Sequence, residues 1–348
     1  PPPDGTMRIT PTPTESREVP PSRRQRLAGC LMLLLGALAL SAITPAVSAQ
    51  TWPSKPIRIV SPYAPGGTND VTARFVSQFL QNRLGQPVIV DNKPGANTRI
   101  ATEFVAKAAP DGYTLYWVAA PFTVNPALYG KLPYDTLKDF IPIAQTVIQP
   151  LLFSVPAASP ARTVAEYLEL ARKDPKQATI CSPGNGSGPH LAMELLAWSS
   201  GAPLVHVPYK GDAPAVNDLI GGQVGACFNA LGTPLPHVRS GRLRGLAVVA
   251  QERVTQLPEA PTFAQAGFPA VDSFAWFGLL APAGTPREIV ERLNLEVNAA
   301  LKSAEVLEKF AGIGALAVGG SAADFERFIR ADLEKWARVV RERNIKPD

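Results

Sequence analysis

Histidine, cysteine and charge are all scarce in this chain. It has three His and three Cys in 348 residues. His190, His206 and His237 stand at no ligand-like spacing to cysteine or carboxylate, so a metal centre is disfavoured and no cofactor is expected. Only 18% of residues are charged against 46% hydrophobic, which excludes wholesale disorder and supplies enough apolar surface for sizeable cores. The formal net charge is +5. Residues 1–49 hold five Arg and three acids, which leaves 29 basic against 26 acidic residues, or +3, for the rest. No Lys/Arg run longer than a doublet follows residue 50, so a phosphate-backbone footprint has no support and nucleic acid is not an expected partner. Long apolar runs are also missing: Leu31 to Ile43 is too short to span a bilayer comfortably, and no later segment is a better candidate.

That short run has another meaning. Arg8, Arg17, Arg23, Arg24 and Arg26 precede it, and the small residues Val47-Ser48-Ala49 follow, which is the pattern of a cleaved export signal over residues 1–49. A mature chain starting near Gln50 and a periplasmic location are expected. Leu27-Ala28-Gly29-Cys30 resembles a lipoprotein box, but its apolar region follows the cysteine instead of preceding it. Cys181 and Cys227 remain after cleavage. In an oxidising compartment they either pair or stay as two buried thiols, and sequence spacing leaves both open.

At 348 residues the chain suggests two domains. From Ile57 strand and helix patterns alternate: Ile57–Val60, helix Asp70–Leu84 with Asn69 as its cap and Gly85 as its stop, Val88–Val90, a helix through Phe104–Ala106, and Tyr113–Val118. The strands are apolar on both faces, which predicts a parallel sheet covered by helices. A second cycle follows Leu151–Val155 and ends near Val249. The last 60 residues are mainly helical and are expected to pack on the first sheet. Lobe 1 is then residues 50–155 with 275–348, and lobe 2 is residues 156–274. The chain crosses twice between them, an arrangement suited to hinged closure over a ligand.

Two glycine-rich turns stand out, each between a strand and a helix: Pro65-Gly66-Gly67-Thr68 and Ser182-Pro183-Gly184-Asn185-Gly186-Ser187-Gly188-Pro189-His190. Such turns leave backbone N–H groups at a helix start, where an anion is held favourably, and place them at the carboxyl edge of the sheet. Neither matches G-x-G-x-x-G or G-x-x-x-x-G-K-[ST], which removes the main nucleotide readings. A hydrolase elbow around Ser187 fails because Asn185 stands where the first glycine belongs.

Seven stretches, in order, make the chain from about Trp52 to Asp348 resemble the extracytoplasmic solute receptors of tripartite tricarboxylate transporters, the Bug receptors. They are Tyr63–Asp70, Asp91–Ala96, Ala109–Leu115, Leu132–Asp135, Val207–Gly211, Asp218–Gln223 and Trp276–Pro282. The resemblance implies an α/β, two-lobed periplasmic-binding-protein fold of the type II kind, with two doubly wound sheets joined by a two-crossing hinge. It implies binding of a small organic carboxylate and delivery to integral-membrane transporter subunits, with no enzymatic activity. A monomer is expected. The alternatives are a ligand-sensing adaptor for a membrane signalling protein and a Ser187/His190 hydrolase. The resemblance places Tyr63, Pro65, Gly66, Gly67, Thr68, Asn69, the loop Ala120 to Thr123, Ser182, Asn185, Gly186, Ser187, His190 and the strand end at Asn229 around the ligand. The family often has an acidic residue where Asn229 stands. Its loss of charge predicts a plain carboxylate over a zwitterionic amino acid. Gly95-Ala96-Asn97-Thr98-Arg99 lacks the family's second glycine pair, and Arg99 is expected to face water.

Overall fold

The computed structural model describes residues 52–342 and 344–346. The signal-peptide segment 1–49, Cys30 included, lies outside the described residues. The chain begins with β1 (Ile57–Ser61), α1 (Thr68–Leu84), β2 (Val88–Asn92), α2 (Arg99–Ala106), β3 (Thr114–Ala119) and α3 (Pro121–Tyr129). β4 (Phe140–Gln149) then leads across Pro150 directly into β5 (Leu151–Pro156). Next come α4 (Val164–Lys173), β6 (Thr179–Ser182), α5 (Gly188–Ser200), β7 (Val205–Pro208), α6 (Asp212–Ile220), β8 (Ala226–Ala230), α7 (Leu235–Arg239) and β9 (Leu243–Val249). β10 (Ala275–Pro282), α8 (Arg287–Lys302), α9 (Ala304–Gly312), β11 (Leu316–Ala317) and α10 (Ala322–Glu342) follow.

The strands form two sheets, ordered β11-β4-β10-β3-β1-β2 and β7-β6-β8-β5-β9. Each contains a parallel block, β2-β1-β3 and β7-β6-β8. Each also contains antiparallel strands, β10 between β3 and β4 and β5 between β8 and β9. The parallel expectation therefore holds for the helix-connected strands only. Strands entered from the other sheet need no crossover helix, and antiparallel pairing is open to them. The sequence places residues up to 155 in the first lobe, but β5 pairs with β8 and β9, so the passage between sheets falls at Pro150. The loop expected at Ala120 to Thr123 is instead the start of α3, with Pro121 at its first position, where a missing N–H does no harm. Asn69 is not the cap of α1: Gly67 precedes the helix, and Gly85, at φ 68°, closes it as expected.

The C-terminal tail packs as predicted. Phe325, Ile329, Asp332, Trp336 and Val340 form one buried stripe on α10, which lies against α3 and β4. Cys181 on β6 stands directly opposite Cys227 on β8 with Cα atoms 4.4 Å apart, and the two form a disulfide. Among the described residues no helix is long and apolar enough to cross a membrane.

Candidate functional site

Loops leaving β1 and β3 in one sheet meet loops leaving β6, β7 and β8 in the other. The β1–α1 turn is shaped by a polar knot. The Asp70 carboxylate accepts from Gly66 N (3.0 Å), Asn92 Nδ2 (2.9 Å) and Arg74 Nε (3.0 Å). Burial pushes Asp70 up, but the Arg74 bond, the Gly66 N–H, the Asn92 amide and the Arg74 charge outweigh it, and the carboxyl sits below its ordinary range. Ser61 Oγ donates to Asn69 Oδ1 (2.9 Å), so Asn69 serves the knot, while its buried Nδ2 has no acceptor among the described residues. Gly66, at φ 86°, supplies the left-handed step this turn requires.

This turn lies against the second lobe. Thr68 N donates to Thr233 Oγ1 (3.0 Å), the two hydroxyls are 3.0 Å apart, and Ala64 N donates to Lys210 O (2.8 Å). A Cβ at Gly67 would meet Asp212 N at 3.4 Å and Asp212 Cβ at 3.5 Å, so the start of α6 packs directly on this turn. Pro65 and Gly66 are exposed.

The β6–α5 turn is largely occupied with itself. Ser182 Oγ is 2.6 Å from His206 Nε2 and accepts from Gly184 N (3.1 Å). Ser187 Oγ caps α5 by accepting from His190 N (3.3 Å), and His190 Nδ1 accepts from Gly186 N (3.0 Å). The His190 ring packs against that of His206, tilted by 32° with centroids 4.1 Å apart, and its Nε2 is 3.5 Å from Glu194 Oε1. His190 thus reaches Ser187 through its backbone, and the ring does not serve Ser187 as a base. A Cβ at Gly186 would sit 3.0 to 3.1 Å from Val124 and Leu128, so α3 packs tightly on this turn.

Between these loops lies a cavity of about 20 Å³, lined by Tyr63, Ala119 to Pro121, Pro183, Ser187 to Pro189, Asp212, Ala230 and Ala275 to Phe277. That is room for about one water. Of the predicted site residues, Tyr63, Ala120 and Ser187 line it. Pro65, Gly66, Gly67, Thr68, Asn69, Thr123, Ser182, Gly186, His190 and Asn229 do not. Thr123 instead donates its hydroxyl to Asp332 Oδ2 (2.6 Å). A larger cavity, about 320 Å³, shares Tyr63 and Pro183 with the first and is lined by Asn97 to Arg99, Tyr129, Asn185, Tyr209 and Lys210 among others. Arg99 does not simply face water: its guanidinium lies over the Tyr129 ring (4.2 Å) and its Nε donates to Ala96 O (2.9 Å). Ala96, Asn97 and Thr98 all have positive φ (44°, 51° and 66°). That left-handed turn costs about 1 to 2 kcal/mol per residue. Asn125 on α3 holds it by accepting from Asn97 Nδ2 (2.7 Å) and donating to Asn97 O (3.0 Å).

Three helices begin at the inner cavity. Ala120-Pro121 opens α3, Ser187-Gly188-Pro189 opens α5, and Asp212 opens α6. Each N-terminus presents the positive end of a helix dipole.

Asp212 was not foreseen from the sequence. Its Oδ1 accepts from Asn229 Nδ2 (3.0 Å) and Ala230 N (3.2 Å). Oδ2 accepts no hydrogen bond among the described residues. Burial pushes the carboxyl up to about 6, against the Asn229 and Ala230 bonds that lower it. The Tyr63 hydroxyl is pushed well up by burial, then by the Asp212 charge and Tyr116. The absence of charge inferred from Asn229 is therefore corrected: an acidic group stands against that amide, supplied from another element. Its signal was present, since Asp212 directly follows the Val207–Gly211 stretch.

The family model for the tripartite tricarboxylate transporter family receptor matches residues 72–345. The chain is 37% identical to Protein BugT of Bordetella pertussis over 319 residues, covering 91% of this chain and 98% of that protein. It resembles the solved structure of R. palustris Rpa4515 with adipate at 35% identity and a TM-score of 0.82, covering 85% of this chain and 100% of that one. MatC from Rhodopseudomonas palustris with bound malate matches at 30% identity and a TM-score of 0.79, covering 83% and 100%.

Proposed function

The chain belongs to the tripartite tricarboxylate transporter receptor family, and on that premise we propose that it captures a small organic carboxylate between its two lobes and delivers it to a tripartite tricarboxylate-type membrane transporter. The observation that carries this reading is the convergence of the α3, α5 and α6 N-termini on one cavity between the two sheets. Pro121 and Pro189 carry no N–H and the His190 N–H is taken by Ser187 Oγ, so it is chiefly the partial positive charge of the helix ends that favours a carboxylate here. The adipate and malate held by the related structures are anions of that class.

Capture follows from the chain path. Lobe 1 is built on the sheet containing β1–β4, β10 and β11, lobe 2 on the sheet containing β5–β9, and two passages, at Pro150 and over residues 250–274, connect them. Hinge motion about these passages opens the cleft, and closure brings Thr68 to Thr233 and Ala64 to Lys210. Export through the segment 1–49 puts the receptor in the periplasm, where the transporter's outward face takes up the ligand. Calorimetric and thermal-shift titration of the mature chain with a panel of organic acids tests the proposal. Saturable heat and a raised melting temperature with at least one acid are expected; no response to any of them overturns it.

A further inference from the structure

Asp212 is a buried carboxylate in a cavity otherwise built to attract anions. Among the described residues no Lys, Arg or His lines that cavity, so no cation neutralises it there. Only 5% of the residue is exposed, and one oxygen is held by Asn229 and Ala230 while the other accepts nothing from the described residues. Asp212 lines the same cavity as the α3 and α5 N-termini, so a guest whose carboxylate enters there as the cleft opens and closes brings its neighbouring atoms to this oxygen. A second carboxylate there meets a like charge in a buried, narrow site, which is strongly unfavourable. A hydroxyl or ammonium finds an acceptor already in place. A guest with only CH₂ at that point leaves the oxygen buried and unpaired, which is the asymmetry that gives hydrogen-bonding sites their discrimination.

Resting on the carboxylate-receptor reading above, we propose that Asp212 is the specificity-determining residue of this site, and that it selects acids with a hydrogen-bond donor on the carbon beside the carboxylate. The ligand class is then 2-hydroxy or 2-amino acids, with plain alkanoic acids discriminated against. Asn229 acts with it as a positioning residue: its Nδ2 fixes the Asp212 side chain.

Matched triples of acids test this at about pH 8, where the carboxyl is ionised. Propionate, lactate and alanine form one triple; succinate, malate and aspartate a second; glutarate, 2-hydroxyglutarate and glutamate a third. Each is titrated calorimetrically into the wild-type chain and into Asp212→Asn. In at least one triple the hydroxy or amino member is expected to bind wild type at least about ten-fold more tightly than the plain member, as loss of one charge-assisted bond implies. Asp212→Asn is expected to reduce that preference several-fold while weakening the plain member not at all. A wild-type preference for the plain acid, or an equal loss for all three members in the variant, overturns the inference and leaves the receptor reading intact. No binding by any of the nine, with saturable binding of other organic acids, also overturns it alone. No binding by any acid overturns both. Should the variant fail to fold, the wild-type ranking decides.

Discussion

Replacing Asp212 by Asn should make the protein more stable at neutral pH, with an advantage that disappears in acid. The carboxyl titrates near 6 in the folded chain against 3.8 for the ordinary group, because burial disfavours its charge. A folded value above the unfolded one means that the folded state holds the proton more tightly. Its contribution is fully present below 3.8 and is lost as pH rises through about 6. The difference of about 2 pK units corresponds to about 3 kcal/mol at about pH 8. The N-terminal dipole of α6 works the other way, favouring the carboxylate by about 0.3 to 1 kcal/mol, too little to reverse the sign. The asparagine of the variant would keep an oxygen for Asn229 Nδ2 and Ala230 N, so the charge is lost without losing the acceptor.

Urea unfolding of wild type and Asp212→Asn at about pH 4, 6 and 8 measures this difference. Near pH 4 the two should agree to within about 0.5 kcal/mol, and near pH 8 the variant should lead by about 2 to 3 kcal/mol. Parallel curves across that range would refute the reasoning, because they would mean that the ionised carboxylate is compensated inside the fold. A variant less stable at high pH would refute it more directly. The expected result is the stability cost that the proposed selection by this charge requires: wild type keeps a buried carboxylate at a net disadvantage to folding.

Gly67→Leu should weaken ligand binding at least about ten-fold with less than about 1 kcal/mol lost in unfolding, since φ of −80° suits any residue while the added side chain obstructs the approach of Asp212. Unchanged affinity in calorimetry would contradict the closing contact. Thr233→Val removes the acceptor for Thr68 N and the partner of its hydroxyl, and should lower affinity by about 1 to 2 kcal/mol with both lobes still folded. Asp332→Ala leaves the Trp276 and Trp336 indole N–H groups without their acceptor, while the Thr123 hydroxyl keeps only Ala120 O. Scanning calorimetry should show about 3 to 5 kcal/mol of destabilisation; a loss under about 1 kcal/mol would mean that water replaces the carboxylate freely.

How much of this was legible in the residues depends on the range of the interaction that fixes each feature. Local signals succeeded. The helical character of the last 60 residues, the glycine stop at Gly85 and the glycine-rich turns after β1 and β6 are each set within a few residues, and the structure has them where the sequence puts them. β5 was read at Leu151–Val155, but β4 was missed, because its apolar residues are interrupted by Pro142 and by polar residues that turn out to be buried, among them Gln145, Thr146 and Gln149. Which sheet a strand joins is decided by distant partners. α3 was hidden by Pro126 inside it. In the site, the turns were found but not the facing of their side chains. Ser182 and His190 look like ligand donors by type, yet buried polar groups take the nearest partner, and theirs are His206 and Gly186. Asp212 gains its role from Asn229, 17 residues away, which no local pattern announces.

The charges at the inner cavity set what it can hold. Three helix N-termini supply about +0.5 each, or about +1.5 together, and ionised Asp212 removes one, leaving about +0.5. One carboxylate on the guest is matched by the helix ends. A second in the same small space has only the Asp212 carboxylate for company. A diacid is therefore accommodated only with its second carboxylate outside, and the adjoining cavity of about 320 Å³ lies beyond Tyr63 and Pro183, with Lys210 and Arg99 on its wall. The strained turn Ala96 to Thr98 forms part of that wall and is held there by Asn125. On the proposed reading, Asp212 in the narrow cavity reads the head of the ligand, and the wider one, with positive charge on its wall, receives the tail. Discrimination should be steep for changes at the carbon beside the first carboxylate and shallow for changes in chain length.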